Sequence, residues 1–202
     1  MATHPGEVAP LRSGFPSSAV LTPANAVTLA RILATPLLVL AVTGLGASWE
    51  SVTAWVVLAG SDSVDGWLAR RQGTTTSGAF LDPLADKILV LSALGALAAE
   101  GDVSWLPVIL LGARELAISV FRVVLSRRGI SVPARPLGKL KTAAEDVAVG
   151  LLLLPLTGRH HQVIGRDVLW VGVALAVVSA AQYLFDSRVQ HPGDTDGLVA
   201  GP

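Results

Sequence analysis

The chain has 202 residues, of which 51% are hydrophobic and only 15% charged, with a formal net charge of +0. A mean hydropathy of +0.60 and a charged share well below the usual quarter or so point to a membrane protein of one domain, and the absence of surplus charge removes the electrostatic case for binding nucleic acid. With no cysteine at all, disulfide frameworks and thiolate metal sites are excluded.

The N-terminal stretch 1–22, with Pro10, Pro16 and Ser17-Ser18, has no apolar run and reads as a flexible polar arm. It does not form a secretory signal, because the first hydrophobic segment is too long and lacks a small-residue cleavage site after a basic start. Six apolar segments follow, at about 25–45, 50–69, 79–99, 104–126, 141–158 and 167–187. Each is near the roughly 20 residues needed to cross the hydrocarbon core as a helix, about twice what a membrane strand needs. Length therefore decides for helix where continuous apolar runs leave periodicity silent. The expected architecture is all-α and polytopic: a six-helix unit over 23–188 between the arm and a disordered tail, 189–202, that carries Pro192, Gly193 and Gly197.

Basic residues set the orientation. If six helices alternate, Arg12, Arg70, Arg71, Arg127, Arg128, Arg135, Lys139, Lys141 and Arg188 fall on one side. The other side receives Arg159 and Arg166 together with Glu50, Glu100, Asp102 and Asp167. The positive-inside rule then puts both termini in the cytoplasm, in a multi-pass protein of the cell membrane.

Against this apolar background, four aspartates cluster where the second helix ends and the third begins: Asp62, Asp65, Asp82 and Asp86. Carboxylates near bilayer depth are costly and usually functional. Asp62 and Asp65 are three apart, and Asp82 and Asp86 four apart, so each pair shares a helix face. An antiparallel hairpin of the two helices would make both pairs converge. Arg70, eight beyond Asp62, lies about 80° round the helix, where the chain leaves the membrane. Hard oxygen ligands with no imidazole or thiolate nearby suit Mg²⁺ or Mn²⁺, and Gly66 and Gly78 leave room for a bulky ligand. Two other readings of the same acids stand beside this one. They are the ion-coupling groups of a small cation-coupled transporter, or acids neutralised by Arg70 and Lys87.

The pattern Asp62-x-x-Asp65-Gly66-x-x-Ala69-Arg70…Gly78-x-x-x-Asp82-x-x-x-Asp86 resembles the signature of the CDP-alcohol phosphotransferase family of integral membrane enzymes. The resemblance extends from Asn25 to about Asp186. Between Arg70 and Gly78 lie seven residues, one fewer than the family's usual pattern, a change that a connecting loop tolerates. The resemblance implies six helices, a homodimer, and two divalent ions, Mg²⁺ or Mn²⁺, in a cavity open to the cytoplasm. It implies that Asp62, Asp65 and Asp82 are metal ligands and that Asp86 is the general base, also near the second metal. It further implies that Gly66, Ala69, Arg70 and Gly78 line the CDP site. The first helix opens Asn25-Ala26-Val27-Thr28-Leu29-Ala30-Arg31, similar to the Asn-x-x-Thr-x-x-Arg of many members, with Ala24 inserted after Pro23. Asn25 and Arg31 then approach the nucleotide or acceptor. Alternatively, Asn25 is a helix cap and Arg31 an interfacial anchor.

Farther on, Arg114-Glu115-Leu116-Ala117-Ile118-Ser119-Val120-Phe121-Arg122 and Gly138-Lys139-Leu140-Lys141-Thr142 look like the phosphatidylglycerophosphate synthase branch of that family. The branch joins CDP-diacylglycerol to sn-glycerol 3-phosphate. Arg114, Arg122, Lys139 and Lys141 would bind the acceptor's phosphate. Arg114 also has a possible structural partner in Glu115, and Lys139 and Lys141 read equally as positive-inside anchors. Cardiolipin or phosphatidylinositol-phosphate synthesis is the alternative within the family. Glu145 and Asp146 read as structural partners of Lys141, and His160-His161 as solvated. Trp49, Trp55, Trp105 and Trp170 read as an outer interfacial belt.

Overall fold

The computed structural model describes residues 22–72, 76–127, 136–157 and 160–189; within these, the side chains of 65, 68–72, 76–80, 125–127, 136 and 183–189 are outside the description. The expected arm and tail lie almost wholly outside the described residues. Six helices follow one another: α1 Pro23–Leu45, α2 Trp49–Gln72, α3 Thr76–Ala99, α4 Trp105–Arg127, α5 Pro136–Leu153 and α6 His160–Val189. No strand occurs among the described residues.

Local chemistry sets the boundaries. Thr22 is extended and caps α1, its hydroxyl oxygen accepting from the Asn25 N–H at 3.2 Å, while Pro23 occupies the first helical position, where no N–H is missed. Asn25 is therefore not the cap. Gly46, at φ 61°, closes the other end by donating its N–H to Val42 O at 2.9 Å. Ser48 caps α2 through the Ser51 N–H at 3.1 Å. Gly101, at φ 81°, turns the chain after α3, and the next N–H, of Asp102, reaches back to Leu97 O at 2.9 Å.

Several boundaries differ from the sequence expectation. The helices of the aspartate stretch run on to Gln72 and back to Thr76, where a connection from Arg70 to Ser77 was expected. α5 starts at Pro136 and stops at Leu153, before Pro155, and α6 begins at His160 rather than near 167. Hydropathy finds only the apolar part of a helix. Polar first turns such as Pro136–Lys139 and His160–Arg166 extend past it, and Pro155 disfavours helix at the residue before it.

α1 packs on both α2 and α3, α5 on α6, and α4 bridges α3 and α6; α5 also touches α2 and α3. By contrast α2 and α3 touch each other little, so the expected hairpin is organised by α1 lying against both. The core joins all six helices through Leu38, Val42, Val52, Leu89, Leu94, Leu97, Leu111, Leu152 and Leu169. Trp55 belongs to this core at 3% exposure, so it is no belt residue; a Cβ on Gly150 would stand 3.7 Å from its Nε1. Trp49, Trp105 and Trp170 are exposed as expected.

Two helices, Pro23–Leu45 and His160–Gln182, are long and apolar enough to cross a membrane by length and composition. The remaining helices are of similar length but carry the ionic groups of the site. Polarity is inverted relative to a water-soluble bundle. Leu33, Leu37, Leu40 and Leu116 face outward, while Asn25, Thr28, Arg31, Glu115, Lys141 and Glu145 are buried. That distribution is the one expected where hydrocarbon is the solvent.

Candidate active site

The aspartate end is built by α1. Arg31, only 1% exposed, donates from Nη1 to Asp62 Oδ1 at 3.0 Å and from Nε to Ser61 Oγ at 2.9 Å. Ser61 in turn donates to Leu58 O at 2.7 Å. One turn earlier on the same face, the buried Thr28 donates its hydroxyl to Asp82 Oδ1 at 2.8 Å. One helix thus grips a carboxylate on each of its two neighbours. The three-residue spacing of Asn25, Thr28 and Arg31 aligns them on a single buried face. Arg31 is accordingly not an interfacial anchor. A buried guanidinium needs its carboxylate, although Asp62 itself is half-exposed.

A second group of charges lies deeper. Glu115 on α4 receives three cations from three helices. Lys87 Nζ stands 3.0 Å from its Oε2, and Arg114 Nη1 and Lys141 Nζ each stand 2.6 Å from its Oε1. Lys141 also pairs with Glu145 Oε2 at 3.1 Å, one turn along α5, and Lys87 donates to Ser119 Oγ at 2.7 Å. Arg114 is tied to α6 as well, by Nη2 to Ser179 Oγ at 2.7 Å and Nε to Ala176 O at 3.2 Å. The network cross-links α3, α4, α5 and α6. Lys87 therefore pairs with Glu115.

Between these charges opens a cavity of about 40 Å³, lined by Asp86, Lys87, Val90, Leu91, Leu111, Glu115, Lys141, Thr142 and Glu145. A larger cavity of about 370 Å³ sits at the other end of the helices, between the α3–α4 turn and α6, where Arg166 donates to Asp102 O at 2.7 Å. Among the described residues, Asp62, Asp82 and Asp86 do not line it. The smaller cavity is the one that Asp86 of the motif lines.

Of the expected site residues, Asp62, Asp82, Asp86 and Asn25 lie on α1, α2 and α3, and Gly66 is half-buried on α2. Asp65, Ala69 and Arg70 occupy the last turns of α2 and Gly78 the first turn of α3, their side chains being outside the described residues. The four expected acceptor cations are not gathered at one point. Lys141 lines the cavity, Arg114 turns to Glu115 and α6, and Arg122 and Lys139 are on exposed faces. The sequence reading passed over Thr28 and Ser61 as partners, Glu115 as a hub, and Lys87 and Glu145 as cavity residues. Thr28 had a visible signal in its place between Asn25 and Arg31, and the expected Arg114–Glu115 and Lys141–Glu145 pairs are present.

The donor chemistry fits a hard divalent cation: carboxylates from adjacent helices, oriented by α1, with no sulfur ligand available. Among the described residues no three acidic or imidazole groups stand close enough to hold an ion by themselves; the expected set also includes Asp65, which is outside them.

Comparison with known proteins agrees with this chemistry. A family model described as CDP-alcohol phosphatidyltransferase matches residues 21–178. A probable phosphatidylglycerophosphate synthase of Mycobacterium tuberculosis is 41% identical over 167 residues, covering 80% of this chain and 79% of that protein. The CDP-diacylglycerol–glycerol-3-phosphate 3-phosphatidyltransferase of Rickettsia bellii is 32% identical over 165 residues, covering 79% and 91%. Its namesake in Bacillus subtilis is 40% identical over 134 residues, covering 64% and 68%.

Proposed function

The chain belongs to the CDP-alcohol phosphatidyltransferase family, and on that premise we propose that it transfers the phosphatidyl group of CDP-diacylglycerol to sn-glycerol 3-phosphate, yielding phosphatidylglycerophosphate and CMP. One juxtaposition carries the acceptor: Asp86 lines the same small cavity as Lys87 and Lys141. A carboxylate able to take a proton stands there beside two lysines, each paired with Glu115, and an acceptor that is at once an alcohol and a phosphate monoester would exchange part of that pairing for its phosphate. The relatives' names agree with this acceptor.

In the proposed reaction Asp86 accepts the proton of the attacking primary hydroxyl. The new bond forms from that oxygen to the lipid-side phosphorus, and the bond to the CMP oxygen breaks. Asp62, Asp65, Asp82 and Asp86 would hold two divalent ions, Mg²⁺ or Mn²⁺. When bound, these supply charge neutralisation for the pyrophosphate and the departing CMP. Arg31 and Thr28 fix the orientation of Asp62 and Asp82. Gly66, Ala69, Arg70, Gly78 and Asn25 form the CDP site, where the planar guanidinium of Arg70 pairs with phosphate oxygens. Lys141 binds the acceptor phosphate; Arg114, Arg122 and Lys139, the other expected phosphate ligands, do not line this cavity and would act only from its surroundings.

The same proposal has 23–188 as the catalytic unit, all six helices crossing the cell membrane, both termini and the site on the cytoplasmic side, and two copies forming a homodimer. Support comes from the outward leucines, from the basic residues that alternation puts on one side, and from the family resemblance. The test is a reconstitution of purified protein with CDP-diacylglycerol and competing alcohols, following CMP and lipid product. Turnover of glycerol 3-phosphate supports the reading. Use of phosphatidylglycerol in its place would assign cardiolipin synthesis instead.

A further inference from the structure

Glu145 is a buried carboxylate of which only half is used. Its Oε2 pairs with Lys141 at 3.1 Å, whereas its Oε1 is buried with no hydrogen-bond partner. Such atoms are rare in folded proteins, because the lost hydration is not repaid, and each calls for an occupant. The residue is 4% exposed and lines the cavity beside Asp86, Lys87, Lys141 and Thr142. Its stem is held from behind by α6. A Cβ on Gly172 would stand 3.4 Å from Glu145 Cγ, so α6 packs directly against the stem of Glu145. One oxygen of the carboxylate is therefore tied to Lys141 and the other is unpaired.

A carboxylate oxygen at this position needs a donor. We propose that Glu145 determines acceptor specificity by taking a hydrogen bond from a hydroxyl of the acceptor that does not react. This rests on the glycerol 3-phosphate reading above. In that acceptor the primary hydroxyl faces Asp86 and the phosphate is claimed by Lys141. The secondary hydroxyl is then the one donor left for Glu145, and all three protein groups line the same cavity. The cavity, about 40 Å³, has space for about three water molecules and so takes a hydroxyl-bearing part of the acceptor rather than the whole of it. A site built around a hydroxyl discriminates against an analogue lacking it, since the carboxylate is then left dry and unpaired. A water molecule on Oε1 would relieve the same oxygen without selecting anything, and the following measurement separates the two.

The purified full-length protein is assayed with CDP-diacylglycerol and either glycerol 3-phosphate or 3-hydroxypropyl phosphate, which differs only in lacking the secondary hydroxyl. The native protein should favour glycerol 3-phosphate at least about tenfold in kcat/KM. Glu145→Leu should lower that preference to near unity, and Glu145→Gln, a milder change that preserves volume, should reduce it severalfold. A native protein with no preference would overturn the proposal without recourse to any variant. So would variants that lose activity toward both acceptors in the same proportion, since that is what a purely structural Glu145 does. Failure of the native protein to use either phosphate would overturn the glycerol 3-phosphate reading itself, and the role of Glu145 with it.

Discussion

Arg31 and Thr28 touch no substrate in the account above, yet they hold the carboxylates that would hold the metal. Partners of this kind commonly change metal affinity by about 10–100-fold when removed. Thr28→Val, which deletes the hydroxyl bonded to Asp82 and little else, should raise the Mg²⁺ or Mn²⁺ concentration needed for half-maximal activity by about tenfold. An unchanged metal requirement would show that the hydroxyl does not orient a ligand. Asp86→Asn should cut turnover by about 10²-fold or more, the usual contribution of a general base, as read by CMP release with the variant still folded. Substitution of Lys141 by Met should raise the glycerol 3-phosphate requirement about ten- to a hundredfold, the effect of losing a charge-assisted contact. CDP-diacylglycerol dependence should move much less. At this scale the aspartates were legible, because spacings of three and four place side chains on one helix face whatever the fold. The hub was not: Glu115 meets Lys141 across 26 positions of sequence and Lys87 from another helix, and no local pattern announces such contacts.

Among the elements, α5 and α6 pack most extensively against each other. A Cβ on Gly165 would fall 2.9 Å from Leu152 Cγ and 3.3 Å from Leu151 Cβ, and Leu152 is itself fully buried. Gly165→Ala should therefore cost about 1–3 kcal/mol of overpacking and lower the temperature of thermal inactivation in detergent. Gly60→Ala, where nothing lies within 4 Å of the added carbon, serves as the control and should be neutral. Equal behaviour of the two variants would refute the packing account. Helix existence was readable from apolar length at all six places, whereas boundaries were not, since the polar turns of α5 and α6 lie beyond the hydrophobic signal. The role of α1 as the element joining α2 to α3 was also hidden. Connectivity suggested a hairpin, and only side chains such as Arg31 and Thr28 reveal that a third helix stands between its arms.

For the molecule as a whole, the outward leucines and inward ions define an inverted distribution of polarity, with the candidate site inside the bundle. The absence of cysteine makes topology directly measurable, because single cysteines introduced at Gln72 and His160 label without background. The proposed orientation has Gln72 react from the cytoplasm and His160 from outside; labelling from one side would exclude six crossings. The family was legible because its motif is long and confined to one stretch of α2 and α3. The acceptor was less so, since the cavity residues proposed to select it are drawn from α3, α4 and α5. It is tested most directly by incubating the purified protein with CDP-diacylglycerol and glycerol 3-phosphate, with divalent metal or with excess chelator. Phosphatidylglycerophosphate and CMP should appear in equal amounts with metal and neither with chelator. Product formed at full rate in chelator, or formed from phosphatidylglycerol but not from glycerol 3-phosphate, would contradict the account.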